Sequence, residues 1–577
     1  MSGLSTETEH LLPKITETKA QKVERLKREK NPWAALDEIK EFARLGRDSV
    51  LPEWASTYFK WWGIYTQGDG AGATGGKGGE GKSTQFFMLR VALPNGLLRS
   101  NQLHAIANLS ERYGRSVADI TVRQNIQLHW LSIESIPEVM EVLGAVGLSP
   151  KGACGDVVRN VTGCPLAGVA ANEIYDASAL SVEVAHLLTG NSDYYNLPRK
   201  FKVAITGCPV WCSYPEINDI GLTAIERITS GKKEIGFSLR VGGGLSADPH
   251  LAVRLDAFVR PEQVVRTVQA ITEIFRDQDS LRQSRERARL KHLFTQQGWT
   301  AESFLDGLNS RLGFTLELAA QEIKPSDVYR DHSGIQPQKQ PGLFSVGAAV
   351  LRGRVTAQQL RAAANLADRF ASGELRTTNM QNLIAVNVPA ANTQALADGL
   401  NAAGLSVNAS PFWRGAIACT GSEFCKLAIT ETKGFTRWLV EELEVRVPGF
   451  DQQLKLHVAG CPNSCGQHWI ADIGLEGKKI KLGDKLVDAY YFCLGGALGE
   501  HQNIARLSGY RCIAPEVPAA IERLLKTYIA ERNESENLRA YFSRYSEADL
   551  RARLAGEDIV AVSRDLSPGP VPHGAGE

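Results

Sequence analysis

The chain has 577 residues, 43% of them hydrophobic and 22% charged, with a formal net charge of +1. That length predicts three or four domains at about 150 residues each, and the composition is that of a packed globular enzyme. The near-zero charge argues against nucleic acid as the main partner, and no apolar run reaches the ~18 residues that a membrane span needs.

In chain order, the opening MSGLSTETEH has neither the basic nor the apolar region of a secretory signal, so a cytoplasmic protein is expected. Ten cysteines then predict reduced thiols and metal ligation rather than disulfides. Residues 1–60 carry a charged helical pattern, broken at Asn31–Pro32 and restarted over Leu36–Ala43. Glu53–Thr66 is dense in aromatics (Trp54, Tyr58, Phe59, Trp61, Trp62, Tyr65) and reads as packing, with the option of covering a flat cofactor. Gly68–Ser83 is a glycine-rich linker. Within it, Gly76–Ser83 matches the phosphate-binding P-loop pattern letter for letter. That motif needs a strand before it and a helix after it. Here a glycine run precedes it and the strand-like Gln85–Leu93 follows, so the match reads as chance.

An internal repeat comes next. Asn101–Tyr113 (NQLHAIANLSERY) matches Gln358–Phe370 (QQLRAAANLADRF), and the same offset pairs Gln124-Asn125 with Gln381-Asn382 and Gly147–Ser149 with Gly404–Ser406. Each copy reads strand–helix–strand–helix. A second repeat follows each copy: Thr206–Leu222 (TGCPVWCSYPEINDIGL) matches Ala459–Leu475 (AGCPNSCGQHWIADIGL), pairing Cys208 with Cys461 and Cys212 with Cys465. Two copies of one α/β module have been fused, and a pseudo-twofold arrangement puts a shared site between them. Asp277–Ala320, which contains RQSRERARLKHLF, reads as a solvated helix face, and Ser567–Glu577 as a disordered tail. The expected division is an N-terminal extension and linker (1–83), a half-domain (84–149), an α/β domain (150–335), a second half-domain (336–406), a second α/β domain (407–565) and the tail (566–577).

The chemistry centres on Ala418–Gly466. ACTGSEFC supplies Cys419 and Cys425, and AGCPNSCG supplies Cys461 and Cys465. Four thiolates in two short-spaced pairs can converge on one soft-metal centre. The CxxC of a zinc knuckle is absent, and the wider, asymmetric spacing suits a cubane cluster. The first half also holds Cys154, Cys164, Cys208 and Cys212, but only the second half has both close pairs. One cluster is therefore expected, on Cys419, Cys425, Cys461 and Cys465, with the first-half cysteines as relics or pocket residues. Ile120–Trp130 alternates as a strand whose second face (Thr121, Arg123, Asn125, Gln127, His129) is polar enough to meet a ligand. Arg90, Arg159, Lys200 and Lys202 add up to a pocket for a multiply charged anion; Lys200 and Lys202, alternating in LPRKFK, repel unless an anion lies between them.

At these residues the chain resembles the sirohaem- and [4Fe–4S]-containing nitrite/sulfite reductase family, from about Trp54 to Tyr545. The motifs are FMLRVxLPNG, DITVRQNIQLHW, RNVTGCPLAG, LPRKFK, QPQKQPGL, ACTGSEFCKLAxxET and GCPNSCGQxxxADIG. The resemblance implies a mixed α/β (α+β) fold, a pseudo-twofold duplication of ferredoxin-like half-domains and two sirohaem/cluster α/β domains. It implies that Cys419, Cys425, Cys461 and Cys465 hold the [4Fe–4S] cluster, and that Cys465 also binds the sirohaem iron axially. It places Arg90, Arg159, Lys200 and Lys202 around the substrate. Thr121, Arg123, Gln127, Arg289, Lys339, Arg376 and Asn463 become the sirohaem-binding set. Tyr65 and Cys154 fall where some ferredoxin-type sulfite reductases place a pocket tyrosine and cysteine.

The family's nitrite reductases usually have Asn where this chain has Lys202, which points to sulfite, with nitrite the alternative. A cationic pocket lowers the cost of bringing a dianion to an electron-rich haem. The Rossmann fingerprint is missing, so electrons would come from a separate carrier. In the family this is ferredoxin; a flavoprotein is the other option. An acidic ferredoxin would need a basic patch, for which the Arg282–Lys291 region and the N-terminal lysines are candidates. The resemblance also implies an assimilatory, monomeric enzyme. Two other classes compete: a P-loop nucleotide enzyme resting on Gly76–Ser83, and a structural zinc protein using the same four cysteines.

Overall fold

The computed structural model describes residues 17–67, 85–326 and 329–557. The P-loop look-alike Gly76–Ser83 and the tail Ser567–Glu577 lie outside the described residues. The N-terminal helices are Lys19–Glu29 and Leu36–Leu45, with the Asn31–Pro32 break falling where proline removes a backbone donor. The aromatic run after them is packing: Tyr58, Phe59 and Trp61 are buried, and Phe59 sits edge-on to Phe42 and Phe87.

Four sheets carry the rest, and they come in two pairs. The first half-domain sheet runs Ile64–Gln67, Phe86–Val91, Ile126–Leu131, Val117–Ile120, Arg354–Thr356. Its counterpart runs Gly334–Pro337, Leu343–Ala348, Leu383–Pro389, Glu374–Thr377, Leu97–Arg99. Each sheet is closed by a short strand from the other copy: Arg354–Thr356 pairs with Val117–Asp119, and Leu97–Arg99 with Glu374–Arg376. Their apolar side chains merge into one core, in which Leu89, Ile106 and Leu128 of one copy share a cluster with Val346, Leu360 and Leu396 of the other. Each copy thus reads strand, short strand, helix, strand, strand, helix, rather than strand–helix–strand–helix. The three-residue strands carry too little pattern to be seen in sequence, and they only make sense across the pair.

The other two sheets are Val203–Thr206, Ile220–Thr229, Lys232–Val241, Val253–Val259 and Ala416–Ala418, Leu456–Ala459, Ile473–Leu482, Lys485–Leu494, Arg506–Ile513. In both, a parallel step leads into a long antiparallel hairpin. Each packs its own core, and a third cluster joins them: Trp211, Tyr214, Ile217 and Leu245 from the first meet Ile417, Trp469, Ile470 and Leu498 from the second.

Two expectations are corrected here. Ile120–Trp130 is not one strand. It is a hairpin, Val117–Ile120 paired with Ile126–Leu131, turned at Thr121–Asn125 with Gln124 at φ 58°. The Thr121 hydroxyl oxygen accepts from the backbone N–H of Arg123 and Asn125 and fixes the turn. Nor is Asp277–Ala320 a solvated helix face. Regular α-helix is confined to Lys291–Gln296 and Ala301–Leu312. The arginines between are spent inside: Arg282 on Glu24, Arg285 on Asp156, Arg289 on Asp219. Charge alone could not reveal that their partners lie 70 to 258 residues away in sequence.

Candidate active site

The cysteine loops are built on crowded backbone. Cys419 ends the strand Ala416–Ala418, and Cys461 follows the parallel neighbour Leu456–Ala459. Between them a Cβ on Gly477 would lie 2.1 Å from Thr430 Oγ1, so glycine is what lets the Thr430 loop close against Gly460. The Cys461–Cys465 turn carries Ser464 at φ 53° and Gln467 at φ 61°. The same register in the first copy holds Trp211 and Tyr214, both at φ 55°. The two Cys-x3-Cys loops therefore share one backbone shape.

The four second-half thiols converge. Cys419, Cys425 and Cys461 are all raised by burial first and by Cys465 next, Cys425 to about 12 and Cys461 to about 11. Gly460 N–H donates to Cys419 Sγ at 3.2 Å, and Asn463 Nδ2 to Cys461 Sγ at 3.5 Å. Such donors are what tune a thiolate cluster. Yet these sulfurs are not packed around one ion. Among the described residues, the group that brings three metal-ligating atoms within 4.8 Å of one another is Cys164, Cys212 and His332. A wide cage of four cysteines fits a multi-iron cluster, and the zinc reading of this set falls.

The Cys425 loop is held from the other half. Phe424 stacks on His129 at 4.2 Å, His129 bridges Asp119 and Gln67 at 3.1 Å each, and Arg354 binds both Asp119 and Glu423. His129 is therefore a buttress and not a ligand-facing residue. Asn125 is likewise spent, its Oδ1 accepting from Leu93 N–H.

Cys465 looks out onto cations. It acts on Arg90 and Lys200 through charge, and Arg90, Arg123, Arg159, Lys200, Lys202 and Arg289 act on one another. Arg90 and Arg159 both donate to the Ala153 carbonyl, at 3.3 and 3.4 Å. Lys200 and Lys202 flank the buried Phe201 on an extended segment, so the alternation holds although the regular strand starts only at Val203. Burial, offset in part by Cys465, brings Lys200 down to about 8. Burial and the guanidiniums of Arg123 and Arg289 push Lys202 well below the usual ammonium value. Burial, then Arg159, bring Arg123 to about 9. Such crowding of like charge is stable only beside an anion. The Nε atoms of Arg90 and Arg123 are buried without a partner among the described residues, which fits a carboxylate-rich group.

Arg90 Nη1 also donates to Cys154 Sγ at 3.1 Å, and Cys154 is a hydrogen-bond partner of Tyr65. Burial first, then Cys154, raises Tyr65 to about 12. These two residues meet at the edge of the cationic pocket.

The remaining sequence candidates divide. Asn463 touches Cys461, and Gln127 pairs with Arg90 across the sheet. Thr121 shapes the turn that carries Arg123. Lys339 is half-exposed in an ion pair with Glu173, and Arg376 sits beside Glu374 in the second half-domain sheet; neither touches the cation group. One residue was missed. Asp219, fully buried, accepts from Arg289 at 2.7 and 3.1 Å and from the Lys202 backbone N–H at 2.8 Å. The signal was present: Asp219 and Asp472 open the repeated DIGL, and Asp472 likewise takes the Lys455 N–H at 2.6 Å.

The chain matches the model of the nitrite and sulphite reductase 4Fe-4S domain over residues 154–316 and 410–559. It also matches the nitrite/sulfite reductase ferredoxin-like half domain over 80–146 and 336–403. The chain belongs to the nitrite and sulfite reductase family. It is 37% identical over 542 residues to the assimilatory ferredoxin-dependent nitrite reductase of Haloferax mediterranei, covering 88% of this chain and 89% of that one. It is 35% identical over 522 residues to sulfite reductase (ferredoxin) 1 of Mycolicibacterium paratuberculosis, covering 89% and 92%. The solved structure of the NirA protein of Mycobacterium tuberculosis superposes with a TM-score of 0.86 at 35% identity, covering 92% of this chain and 97% of that one. The mixed α/β fold of the family is therefore the fold of this chain, and the chain is an oxidoreductase of the sulfite/nitrite reductase class. Membership implies the family's cofactor pair, sirohaem and a [4Fe–4S] cluster, and the four-thiol cage beside the cationic pocket fits that pair.

Proposed function

We propose that this reductase acts on sulfite in preference to nitrite, in the cytoplasm, with electrons from ferredoxin. The observation that carries the substrate reading is Lys202, a second ammonium beside Lys200 in a group of six cations balanced by the buried carboxylate of Asp219. A dianion gains more from that excess than a monoanion does. Relatives of both kinds lie at similar identity, and their names support ferredoxin as donor. All ten cysteines are unpaired, which agrees with a reducing compartment, and among the described residues no helix is long and apolar enough to cross a membrane. Both halves of the site come from one chain, which supports a working monomer. Of the candidate docking surface at Arg282–Lys291, Arg282, Arg285 and Arg289 are paired inside and Arg287 is exposed, while Lys22, Arg25 and Lys30 pair with Glu53, Glu17 and Glu38 at the surface.

In this reading Cys419, Cys425, Cys461 and Cys465 would hold the cluster, and Cys465 would also bind the haem. Arg123, Arg289, Gln127 and Asn463 would line the haem, and the cofactor pair would supply the electrons. Arg90, Arg159, Lys200 and Lys202 bind the oxyanion. Each oxygen leaves as water, so protons must be delivered beside it. An ammonium held near 8 gives up a proton far more readily than an ordinary lysine. Arg90 and Arg159 keep the substrate oriented while Lys200 or Lys202 donates.

The test is steady-state turnover of the loaded enzyme with a reduced viologen dye and either sulfite or nitrite. Parent enzyme should show the higher kcat/KM with sulfite. Lys202→Asn should lower the sulfite-to-nitrite ratio by about tenfold, the worth of one charge-assisted hydrogen bond. An unchanged ratio sinks the argument.

A pH dependence follows from Lys200. Its ammonium is charged below about pH 8 and neutral above. With nitrite, whose single charge is constant in this range, KM should rise by about tenfold between pH 7 and pH 9.5. Lys200→Arg should flatten that rise. A KM that is level in the parent enzyme would show that Lys200 does not hold the anion.

A further inference from the structure

The first-half cysteines are not mere relics. Cys164, Cys212 and His332 bring their ligand atoms within 4.8 Å of one another, and all three residues are buried. Cys208 Sγ lies 3.5 Å from Cys212 Sγ and is hydrogen-bonded to Cys164 as well. Cys208 stands at the rim of that three-atom group, against both cysteines, and completes a Cys3His set by drawing in on an ion. The spacing of the three is close to what coordination of a single ion at about 2.0–2.3 Å allows.

A second observation points the same way. Both ring nitrogens of His332 are buried without a hydrogen-bond partner among the described residues. His332 sits at φ 58°, a conformation that costs a non-glycine residue free energy, and it is locked there. A Cβ on Gly347 would lie 1.7 Å from the His332 carbonyl oxygen, so the strand Leu343–Ala348 presses directly on it. Burial brings its imidazole to about 3, so the ring is neutral and able to ligate. Around the group, Thr206 Oγ1 lies 3.3 Å from Cys208 Sγ, and Arg330 places a cation within reach of Cys164 and His332. That cation would offset the single negative charge that three thiolates leave on a divalent ion.

We infer that Cys164, Cys208, Cys212 and His332 form a second metal site, taking one structural zinc ion. The site is the counterpart of the cluster: Cys208 and Cys212 stand in the register of Cys461 and Cys465, on a loop of the same left-handed shape. What differs is the cage. In the second copy the sulfurs stand apart; in the first, two sulfurs and a histidine nitrogen close to single-ion spacing, with Cys208 beside them. The ion would tie three stretches together: the loop at Cys164, the loop at Cys208–Cys212, and the connection into the second half-domain at His332. Ile384 and Val386 of that half-domain already pack on these cysteines. Binding displaces the protons of whichever thiols still carry them, and no electrons are transferred. With Cys208 drawn in as the fourth ligand no coordination position stays open, so its role is structural.

The experiment is metal analysis of the purified holoenzyme by mass spectrometry, with iron read in the same sample. One zinc per chain is expected in addition to the iron. Cys208→Ser and His332→Ala should each lose the zinc while the iron is retained. Should either variant fail to fold, zinc-edge X-ray absorption of the unaltered enzyme decides: three sulfurs and one nitrogen are expected around the ion. The inference is overturned by any of three results. These are less than about a tenth of a zinc per chain after the reduced enzyme is incubated with zinc sulfate and desalted, zinc that persists in the folded variants, or a disulfide among Cys164, Cys208 and Cys212 in the intact protein.

Discussion

Cys465→Ser is expected to abolish turnover, with a loss of at least about a thousandfold, or about 4 kcal/mol of transition-state stabilisation. Cys465 is the shared neighbour of the cage: its charge weighs more than any other on Cys419, Cys425 and Cys461 alike. It is also the sulfur that acts on Arg90 and Lys200. No other cysteine joins the thiol cage to the anion pocket in this way. The hydroxyl of serine is a poor ligand for iron where a thiolate is needed. The measurement should not rest on activity alone. Iron and acid-labile sulfide should fall per chain, and the visible absorption should weaken with them. Cys212→Ser, the same change at the matching position of the first copy, should leave iron and sulfide intact. A Cys465→Ser enzyme with full iron, full sulfide and parental turnover would remove Cys465 from the centre of the site.

Asp219→Asn should cost the unloaded chain about 3–5 kcal/mol of stability. The carboxylate is fully buried and binds Arg289 through both oxygens, with Arg123, Lys200 and Lys202 close by. The amide keeps the shape and removes the carboxylate charge that faces Arg289, Arg123 and Lys202. Arg289 is then left as a buried cation whose partner has gone. In the loaded enzyme, the carboxylates of the haem share that task, so the loss should be smaller there. Asp472→Asn is the internal comparison. Asp472 occupies the same position of the second repeat, under Arg539 and the Lys455 N–H, and lies outside the cation group. Its loss should destabilise loaded and unloaded enzyme alike. Urea unfolding of both forms of both variants makes the measurement. Equal midpoints for Asp219→Asn and the parent chain, both unloaded, would show that the cations are not balanced by this carboxylate.

The duplication was legible because helices and long strands keep their register. Ser100–Tyr113 and Ala357–Phe370 are equal helices, and Lys232–Val241 and Lys485–Leu494 are equal strands. The cysteine cage and four of its facing cations were legible because each residue is chemically conspicuous. What could not be read was pairing over distance. The charge pattern around Arg289 read as a solvated face, and only the family resemblance singled Arg289 out, because its partner, Asp219, lies 70 residues away. Lys339 pairs with Glu173 and Arg376 with Glu374, yet Arg376 keeps a buried Nε without a partner among the described residues, as Arg90 and Arg123 do. The Thr121–Asn125 turn hid inside an alternating pattern, because a hydroxyl that caps a turn and a hydroxyl that faces a ligand look the same in one dimension. The Cys164–His332 group was missed for a related reason: its fourth ligand comes from the connection between the halves, where no motif announces it.

The exchanged strands Leu97–Arg99 and Arg354–Thr356 have a consequence for how such an asymmetric molecule can arise. Each half-domain completes its sheet only by borrowing an edge from its twin, which is the geometry of a swapped homodimer written into one chain. While two identical subunits exchange edges, symmetry obliges every change in one site to be made in the other. Once a single polypeptide carries both copies, the exchange still holds them together, but their side chains are free to drift apart. One copy could then keep wide-set thiols for redox chemistry while the other gathered cations for an oxyanion. Linkage, rather than any new fold, is what allowed a symmetric ancestor to divide its labour.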